Sequence, residues 1–504
     1  MSDDDDSTEK MLERVPTGVL GLDAILNGGF YRGGVYLFVA KPGSGKTILG
    51  SEIAFHHVAG GGRALFVTLL TESHSRLLAQ LQSLSFFDAA RVGVELSFVT
   101  GYQALEKDNL DDLLVLLRRL VRDHKATLLV LDGIVTAGAM AQTDLQRKEF
   151  VHELQVFVDL VGCTALLLAG PSELNEQYAL RTMVDGLVEL RQDPVGMGAA
   201  RTVEITKLRG SPAIMGRHLF EISNDGVSVY PRTESHYGKS VTRPDPTRTP
   251  LATFGIAGLE AMLGGGLRSG SISMVLGTPG SGKTLLGLSL LAEGARAGER
   301  GVYFGFFETP AELCRKADAV GMGLASHVAK GLVELVWQPP LDTIADALAE
   351  KVLAAVRRTG TRRVFIDGLG GFKDSLVDTS RAGPFFGALC NELRSLGVVT
   401  LLSDETPSLA DIDVPVPGLT ATLDSVVFLR DVEHDGRPGK RVSIMKLRDG
   451  AGDPASREFS IGTRGFVVAS SSRDARAKAA ARPARSLGTA RASSPGKSGK
   501  RRRR

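Results

Sequence analysis

Short apolar runs of Val, Ile and Leu recur along the chain, and stretches with the mixed polar and apolar pattern of helices separate them. The runs that we predict to be strands are residues 64–69, 127–131 and 164–168 in the first half and 302–306, 364–366 and 398–402 in the second. Runs without polar alternation are typical of strands buried on both faces of a sheet. The pattern therefore predicts an α/β fold in each half, with a mainly parallel central sheet covered by helices.

The second half of the chain repeats the first. Residues 17–23 (TGVLGLD) and 254–260 (FGIAGLE) each precede an apolar run and then the hexapeptide PGSGKT. Matching landmarks keep a nearly constant separation, which is 237 positions for Lys46 and Lys283, 235 for Asp132 and Asp367, and 239 for Lys207 and Lys446. A period this long indicates two copies of a whole domain rather than the short repeats of a solenoid.

Composition divides the chain into five segments. Between the repeats, residues 231–250 are polar and contain four prolines, which is typical of a linker. From about residue 469 the chain is rich in Ala, Arg and Ser without periodicity, which predicts disorder. The predicted segments are an acidic N-terminal segment (1–13), a first domain (14–232), a linker (233–249), a second domain (250–468) and a disordered basic tail (469–504).

Charge is unevenly distributed along the 504 residues. The whole chain has 60 Lys and Arg against 57 Asp and Glu, a net charge of +3, which excludes a protein that coats nucleic acid with its entire surface. The tail alone carries twelve Lys or Arg and one acid, so the remainder is acidic. Nucleic-acid contact is thereby confined to residues 469–504, for which an acidic protein partner and a purely solubilising role are the alternatives.

The location of the protein follows from what the sequence lacks. Its three cysteines form no CxxC pair, which argues against a structural zinc site and fits a reducing compartment. The N-terminus has no signal-peptide pattern, and the apolar runs are far shorter than the ~20 residues that cross a bilayer. These features predict a cytoplasmic protein without membrane contact.

Each repeat contains a phosphate-binding loop. Residues 277–284 (GTPGSGKT) match the GxxxxGK[ST] pattern, in which glycines let the backbone wrap a phosphate at the positive end of a helix. The first copy, residues 40–47 (AKPGSGKT), has Ala40 in place of the first glycine, which is tolerated where φ is negative. The residues predicted to bind nucleotide are Gly43, Ser44, Gly45, Lys46 and Thr47 in the first loop and Gly277, Thr278, Pro279, Gly280, Ser281, Gly282, Lys283 and Thr284 in the second.

These loops predict ATP and Mg²⁺ as ligands. The lysines, Lys46 and Lys283, neutralise the β- and γ-phosphates in such loops. A hydroxyl at the helix start and a carboxylate at the end of an apolar strand hold or orient the metal. The predicted magnesium ligands are Thr47 and Asp132 in the first repeat and Thr284 and Asp367 in the second.

Hydrolysis needs a base for water, and a carboxylate at the tip of the strand after the first helix would serve. Glu308 stands 25 positions after Lys283, and Glu72 stands 26 after Lys46. Aligning the two strands places Thr71, not Glu72, against Glu308. Glu308 is therefore the better candidate base.

A strand near the end of each repeat finishes in a KLR triplet, formed by Lys207, Leu208 and Arg209 and by Lys446, Leu447 and Arg448. Residues two apart on a strand share a face, so the lysine and arginine of each triplet point together. A paired cation directed at the γ-phosphate of a neighbouring subunit is the arrangement of trans-acting fingers.

With these motifs in place, residues 14–468 resemble the KaiC family of ATPases. The resemblance rests on the TGxxGLD-type opening, the duplicated phosphate loops, the strand-end aspartates and the KLR triplets. It implies two tandem RecA-like domains and a homo-hexameric double ring with ATP bound between subunits. In that arrangement the two triplets reach the phosphates held by the next subunit.

The sequence departs from this family at two places. The clock-type members carry two adjacent glutamates at the strand tip, where this chain has Leu70-Thr71 and Phe307-Glu308. At the self-phosphorylated Ser-Thr pair of the second domain it has Thr420 and Ala421, which excludes two-site self-phosphorylation as the family does it. Modification of Thr420 alone stays open, as does an ordinary threonine before a strand.

The main functional hypothesis is a slow, ring-forming regulatory ATPase, with autokinase activity at Thr420 as a secondary possibility. One alternative is a DNA recombination or repair ATPase of the RecA/RadA kind, although the zinc module of bacterial RadA-like proteins is missing. The other is a non-catalytic scaffold that ATP switches between assembly states.

Overall fold

The computed structural model describes residues 13–69, 74–101, 110–134, 143–170, 178–195, 198–238, 250–339, 343–406, 418–434, 437–448 and 455–469. The strands of the first half are β1 (Arg14–Val15), β2 (Phe30–Tyr31), β3 (Val35–Ala40), β4 (Ala64–Thr68), β5 (Leu96–Thr100), β6 (Leu128–Asp132), β7 (Thr164–Ala169), β8 (Gly186–Val195), β9 (Gly198–Leu208), β10 (Arg217–Ser223) and β11 (Gly226–Tyr230). Its helices are α1 (Leu22–Ile25), α2 (Lys46–Ala59), α3 (His74–Leu81), α4 (Leu110–His124), α5 (Asp144–Val161), α6 (Tyr178–Met183) and α7 (Thr233–His236).

In its described residues, the second half repeats the main order of strands and helices, without counterparts of β1 and β2 and with additional short helices. Its helices are α8 (Ala257–Met262), α9 (Lys283–Arg296), α10 (Pro310–Ala319), α11 (Leu324–Ala329), α12 (Ala345–Thr359), α13 (Leu369–Asp374), α14 (Ala382–Ser395) and α15 (Leu419–Thr422). Its strands are β12 (Ile272–Gly277), β13 (Gly301–Gly305), β14 (Val333–Trp337), β15 (Arg363–Asp367), β16 (Val399–Glu405), β17 (Ser425–His434), β18 (Arg437–Leu447), β19 (Arg457–Gly462) and β20 (Gly465–Val468).

Each half is built on a nine-stranded mixed sheet. The strand orders are β11-β10-β9-β8-β3-β7-β6-β4-β5 and β14-β13-β15-β16-β12-β17-β18-β19-β20, and β1 and β2 form a separate antiparallel pair. In each sheet six strands run parallel, with the loop-bearing strand β3 or β12 among them, and the remaining three are added antiparallel at one edge. The mainly parallel sheets predicted from the apolar runs are confirmed.

Helices cover both faces of each sheet. Every residue of β3 and of β12 is buried. Along β3, Val35, Leu37 and Val39 pack into one apolar cluster, while Tyr36 and Phe38 pack into the cluster on the opposite face. A strand with apolar side chains on both faces cannot show polar alternation, which is why the sequence pattern identified these strands. Among the described residues, no helix combines the length and apolarity needed to span a membrane.

Observed strand limits differ from the predicted ones by one to three residues, and charge is one reason. Strand β15 begins at Arg363, which a search for apolar runs omits. The side chain of Arg363 is nevertheless buried, because it pairs with Glu299 at 2.6 Å and donates to the carbonyl oxygens of Thr253 and Leu290. A fully paired cation is thus tolerated inside a sheet.

The segment predicted as a linker begins with helix α7, which packs on the second half. Both the backbone N–H and the hydroxyl of Thr233 donate to Asp346 at the start of α12, at 2.9 and 2.8 Å. Arg381 bridges this carboxylate and that of Glu234. We call these four residues, Thr233, Glu234, Asp346 and Arg381, the inter-repeat clamp. The rest of the predicted linker, 239–249, lies outside the described residues.

Candidate functional site

The second phosphate loop connects the end of β12 to the start of α9, as the motif requires. Gly282, which precedes the helix, has φ +106°, and a Cβ there would lie 2.7 Å from Ile461 Cδ1. At Gly277 a Cβ would lie 2.5 Å from the Leu429 carbonyl oxygen and from Ser281 Oγ. Gly282 is therefore required by its backbone conformation, and Gly277 is required because there is no space for a side chain.

Lys283 and the strand-end aspartate lie together in this loop. Lys283 is buried, and its Nζ donates to the carbonyl oxygens of Gly277 and Thr278, both at 3.0 Å. Asp367 accepts hydrogen bonds from three hydroxyls, those of Thr284, Ser403 (2.5 Å) and Tyr303 (3.2 Å). Burial raises the pKa of Asp367 above its ordinary value, and these hydroxyl donors oppose that rise.

A cavity of about 680 Å³ opens beside the loop, within the usual size range of ligand sites. Its lining includes Lys283, Thr284, Asp367, Glu308, Lys316 and Glu405. Glu308 stands at the tip of β13 and forms an ion pair with Lys316 on α10, at 2.7 Å to one carboxylate oxygen and 2.6 Å to the other. The predicted base, metal ligands and phosphate lysine of the second repeat therefore share one cavity.

The residues of this cavity fit magnesium-bound ATP. The hydroxyl of Ser281 is buried without a hydrogen-bond partner among the described residues, so it has an unused donor within the loop. A phosphate held by Lys283 and by the amides of the loop would lie next to the Thr284 hydroxyl and the Asp367 carboxylate, which are ligands that Mg²⁺ accepts. Hard oxygen ligands next to a lysine-lined loop match the chemistry of a nucleotide with its metal.

The first phosphate loop has the same arrangement of strand, loop and helix, between β3 and α2. Ala40 is the last residue of β3 and extended, so the missing glycine does not disturb the loop. Gly45 has φ +95° in the position of Gly282. The predicted metal ligands meet directly, since the Thr47 hydroxyl donates to Asp132 Oδ2 at 2.9 Å.

Asp132 differs from its counterpart in the second repeat. Lys46 Nζ lies 3.6 Å from Asp132 Oδ1, which is buried and has no hydrogen-bond donor among the described residues. Lys46 thus faces the aspartate, whereas Lys283 turns back onto its own loop. The candidate base Glu72 and the aligned Thr71 lie outside the described residues.

The KLR cations of each repeat point together, as predicted. In the second repeat, Lys446 Nζ donates to the Thr420 carbonyl at 2.6 Å and Arg448 to the Ala421 carbonyl at 2.7 Å. In the first, Lys207 and Arg209 both donate to the Thr182 carbonyl, at 2.8 and 3.2 Å.

Partial burial affects the pKa of the lysine in each triplet. It lowers the pKa of Lys207 and of Lys446 below the ordinary lysine value, and the neighbouring arginine of each triplet lowers it further. A phosphate placed here would oppose that shift, because an anion favours the protonated amine.

The structure does not bring the triplets to the phosphate loop of their own repeat. Leu447 pairs with Ser425, and Ser425 pairs with Ser273 near the beginning of β12. The phosphate loop follows the opposite end of that strand, after Gly277. Lys446 and Arg448 are therefore separated from this loop by roughly the length of β12, about 15–20 Å.

Thr420 lies on α15, immediately before β17, and its side chain is exposed. Its backbone carbonyl is the acceptor for Lys446. Thr420 is thus exposed to solvent, and its own carbonyl contacts Lys446, one of the cations predicted to reach a phosphate.

The polar residues near the site that were not predicted include Tyr303, Ser403, Lys316 and Glu405. Ser403 and Glu405 end strand β16, which lies next to β15 and so next to Asp367. Because functional groups gather at the carboxyl ends of parallel strands, strand ends alone would have signalled these two. Lys316 and Tyr303 carry no such signal, since one lies on the side of a helix and the other within a strand.

Comparison with known proteins agrees with this geometry. The sequence model of the family described as "ATPase: KaiC" matches residues 15–234 and 252–473. The circadian clock oscillator protein KaiC of Rippkaea orientalis is 24% identical over 483 residues, which cover 93% of this chain and 91% of that protein. In Synechocystis sp., the circadian clock protein KaiC2 is 25% identical over 474 residues (92% of this chain, 82% of that protein), and KaiC3 is 24% identical over 477 residues (91% and 92%). Since the family model spans both repeats, the chain belongs to the KaiC family of ATPases and has the two tandem RecA-like domains that the resemblance implied.

Proposed function

We propose that this chain binds ATP and Mg²⁺ at both repeats and hydrolyses ATP slowly as a ring-forming regulatory ATPase. The observation that carries the proposal is the shared cavity of Lys283, Thr284, Asp367 and Glu308. Lys283 would hold the phosphates, and Thr284 and Asp367 would hold magnesium, whose charge stabilises the transferred phosphoryl group. Glu308 would accept the proton of the attacking water.

A ring of identical subunits explains the position of the KLR triplets. Within one chain, Lys446 and Arg448 lie at the opposite end of β12 from their own phosphate loop. In a ring the same cations can face the phosphate loop of the next subunit, where they would stabilise charge on the γ-phosphate. We propose a homo-hexamer, as in the double ring that the family resemblance implies. Native mass measured with and without ATP tests it, and a monomer in both states would remove the ring.

Replacing Glu308 with glutamine tests the catalytic part of the proposal. The first repeat is silenced by Lys46→Ala in the same chain, so that phosphate release reports only the second site. Loss of a general base is expected to reduce this rate about 100-fold or more while ATP still binds. Glu334→Gln, at a partly exposed carboxylate paired with Arg358, is the matched control and should leave the rate unchanged.

Two outcomes would favour other functions. If Glu308→Gln binds ATP and releases phosphate as fast as its parent, the ATP-switched scaffold is the better description. If the chain binds DNA at about 150 mM salt through residues other than 469–504, a recombination or repair ATPase is favoured instead. The same filter-binding assay on a chain without residues 469–504 separates the two sources of DNA affinity.

Phosphorylation of Thr420 is a secondary proposal. It is supported by the exposed side chain and by the 2.6 Å contact between its carbonyl and Lys446, a cation that we propose faces ATP of the neighbouring subunit. Mass spectrometry after incubation with ATP would detect a phosphate on the peptide that contains residue 420. An unmodified peptide from a hydrolysing sample would contradict autokinase activity.

A further inference from the structure

The candidate base of the second site is engaged by a cation. Lys316 Nζ contacts both oxygens of the Glu308 carboxylate, at 2.7 and 2.6 Å, and both side chains line the cavity. Lys316 lies on α10, whose start is fixed by a capping box between Thr309 and Glu312 and whose inner face buries Leu313. The helix therefore holds this lysine at a defined place beside Glu308.

Two other acids of the cavity, Asp404 and Glu405, each lie beside a different cation. Asp404 pairs with Lys373 at 2.6 Å, and Glu405 lies 3.5 Å from Lys283. Lys316 has no second carboxylate within ion-pair distance among the described residues. Its contact with Glu308 is therefore a dedicated pair rather than one link in a network.

We propose that Lys316 restrains the ATPase reaction of the second site by occupying the carboxylate of Glu308; this inference rests on the proposed function. In the reaction the water O–H bond breaks, its oxygen bonds to the γ-phosphorus, ADP leaves, and the proton passes to a Glu308 oxygen. An oxygen that accepts a hydrogen bond from Lys316 is less available to accept one from that water. The restraint is partial, because the lysine side chain is 45% exposed and exposed ion pairs open readily.

Within the described part of the first repeat no equivalent of this pair is seen, and Thr71 and Glu72 lie outside that part. The corresponding helix α3 (His74–Leu81) has the sequence HSRLLAQL and contains no lysine. Thr71 is aligned with Glu308 there, so both members of the pair differ. We therefore place the restraint at the second site.

Lys316→Met tests the inference in the Lys46→Ala background. The kcat for phosphate release is expected to rise about two- to fivefold with an unchanged KM, since only the availability of the base changes. Lys316→Arg keeps a cation at this position and is expected to raise kcat less. Lys330→Met, which removes an exposed lysine outside the cavity, is the matched control.

A second readout is independent of turnover. Trp337 is the single tryptophan of the chain, and its Nε1 donates to the Phe306 carbonyl at 3.1 Å, two residues before Glu308. Titration of its fluorescence with ATP in EDTA measures nucleotide affinity at this site. Lys316→Met is expected to bind ATP with the affinity of its parent.

The double variant with Glu308→Gln tests whether Lys316 acts on the rate through Glu308. Lys316→Met should have no effect on the rate once Glu308 is glutamine, because the pair no longer exists. A rate gain that persists in the double variant, or a rate that falls on Lys316→Met alone, would overturn the inference. If Glu308→Gln itself leaves phosphate release unchanged, the proposed function fails first; if it abolishes release but Lys316→Met does not raise it, only the inference fails.

Discussion

Replacing Arg381 with methionine is expected to lower the free energy of unfolding of the second domain by about 3–5 kcal/mol. Its guanidinium donates to both oxygens of Glu234, at 2.8 and 2.9 Å, and to Asp346 at 2.9 Å. The Asp346 side chain is fully buried, and those of Arg381 and Glu234 are 14% and 17% exposed. Methionine has a similar length but no charge, so the variant leaves the buried Asp346 carboxylate without its cation and leaves Glu234 only the 3.9 Å contact with Arg232.

Urea unfolding followed by Trp337 fluorescence measures this loss, because Trp337 ends strand β14 in the second domain. With a denaturant slope of about 2–3 kcal/mol per molar, the midpoint should fall by about 1–2 M. Arg358→Met is the matched control. Arg358 pairs with one glutamate, Glu334, and its side chain is 67% exposed. The expected loss of stability is therefore at most about 1 kcal/mol.

A smaller perturbation of the same clamp refines the test. Thr233→Val removes one hydroxyl donor to Asp346 and keeps the backbone donor, which should cost about 1 kcal/mol. Because the two changes share one carboxylate, the double variant should depart from additivity. If Arg381→Met shifts the midpoint no more than Arg358→Met, the buried ion pairs of the clamp do not stabilise the second domain.

Two further predictions concern the glycine loop and a buried histidine. Gly282→Ala should abolish the ATP-induced change in Trp337 fluorescence, because φ +106° is strained for any residue with a Cβ and that Cβ would also displace Ile461 Cδ1, 2.7 Å away; retained binding would contradict this. Burial lowers the pKa of His218, whose Nδ1 accepts from the Arg232 N–H. The unfolded chain therefore takes up a proton that the folded chain resists, and stability should fall as the pH drops below about 6.5. In circular dichroism melts at pH 7.5 and 5.5, His218→Asn should lose less stability than the parent; an equal loss would contradict it.

The features that could be predicted from the sequence are those whose residues lie close together along the chain. The loop at 277–284, its helix and the strand-end Asp367 follow from spacing and apolar runs within one segment, and all lie at one cavity. The TGxxGLD opening is also local, because the carboxylate of Asp23 accepts from the amides of Thr17 and Gly18 and so shapes the turn. The domain limits and the roles of the site residues stay predictions.

Contacts between distant segments could not be read from the chain. Arg381 and Glu234 are 147 positions apart, and nothing in a polar, proline-containing stretch indicated a helix packed on α12 and α14. Arg363 was excluded from its strand because charge interrupts an apolar run, although Glu299 and two carbonyls satisfy it. The Lys316–Glu308 pair depends on how α10 is oriented against the sheet, which spacing alone does not define.

The duplication separates two kinds of residue. Both repeats keep the residues predicted to bind phosphate and metal, with Lys46 and Thr47 in one and Lys283 and Thr284 in the other, each set next to a strand-end aspartate. They differ in sequence at the strand tip, where Thr71 is aligned with Glu308 and the candidate base Glu72 stands one position later. Binding energy depends mainly on the retained cations and turnover on the differing base. We therefore expect the two sites of one chain to be more alike in affinity than in rate.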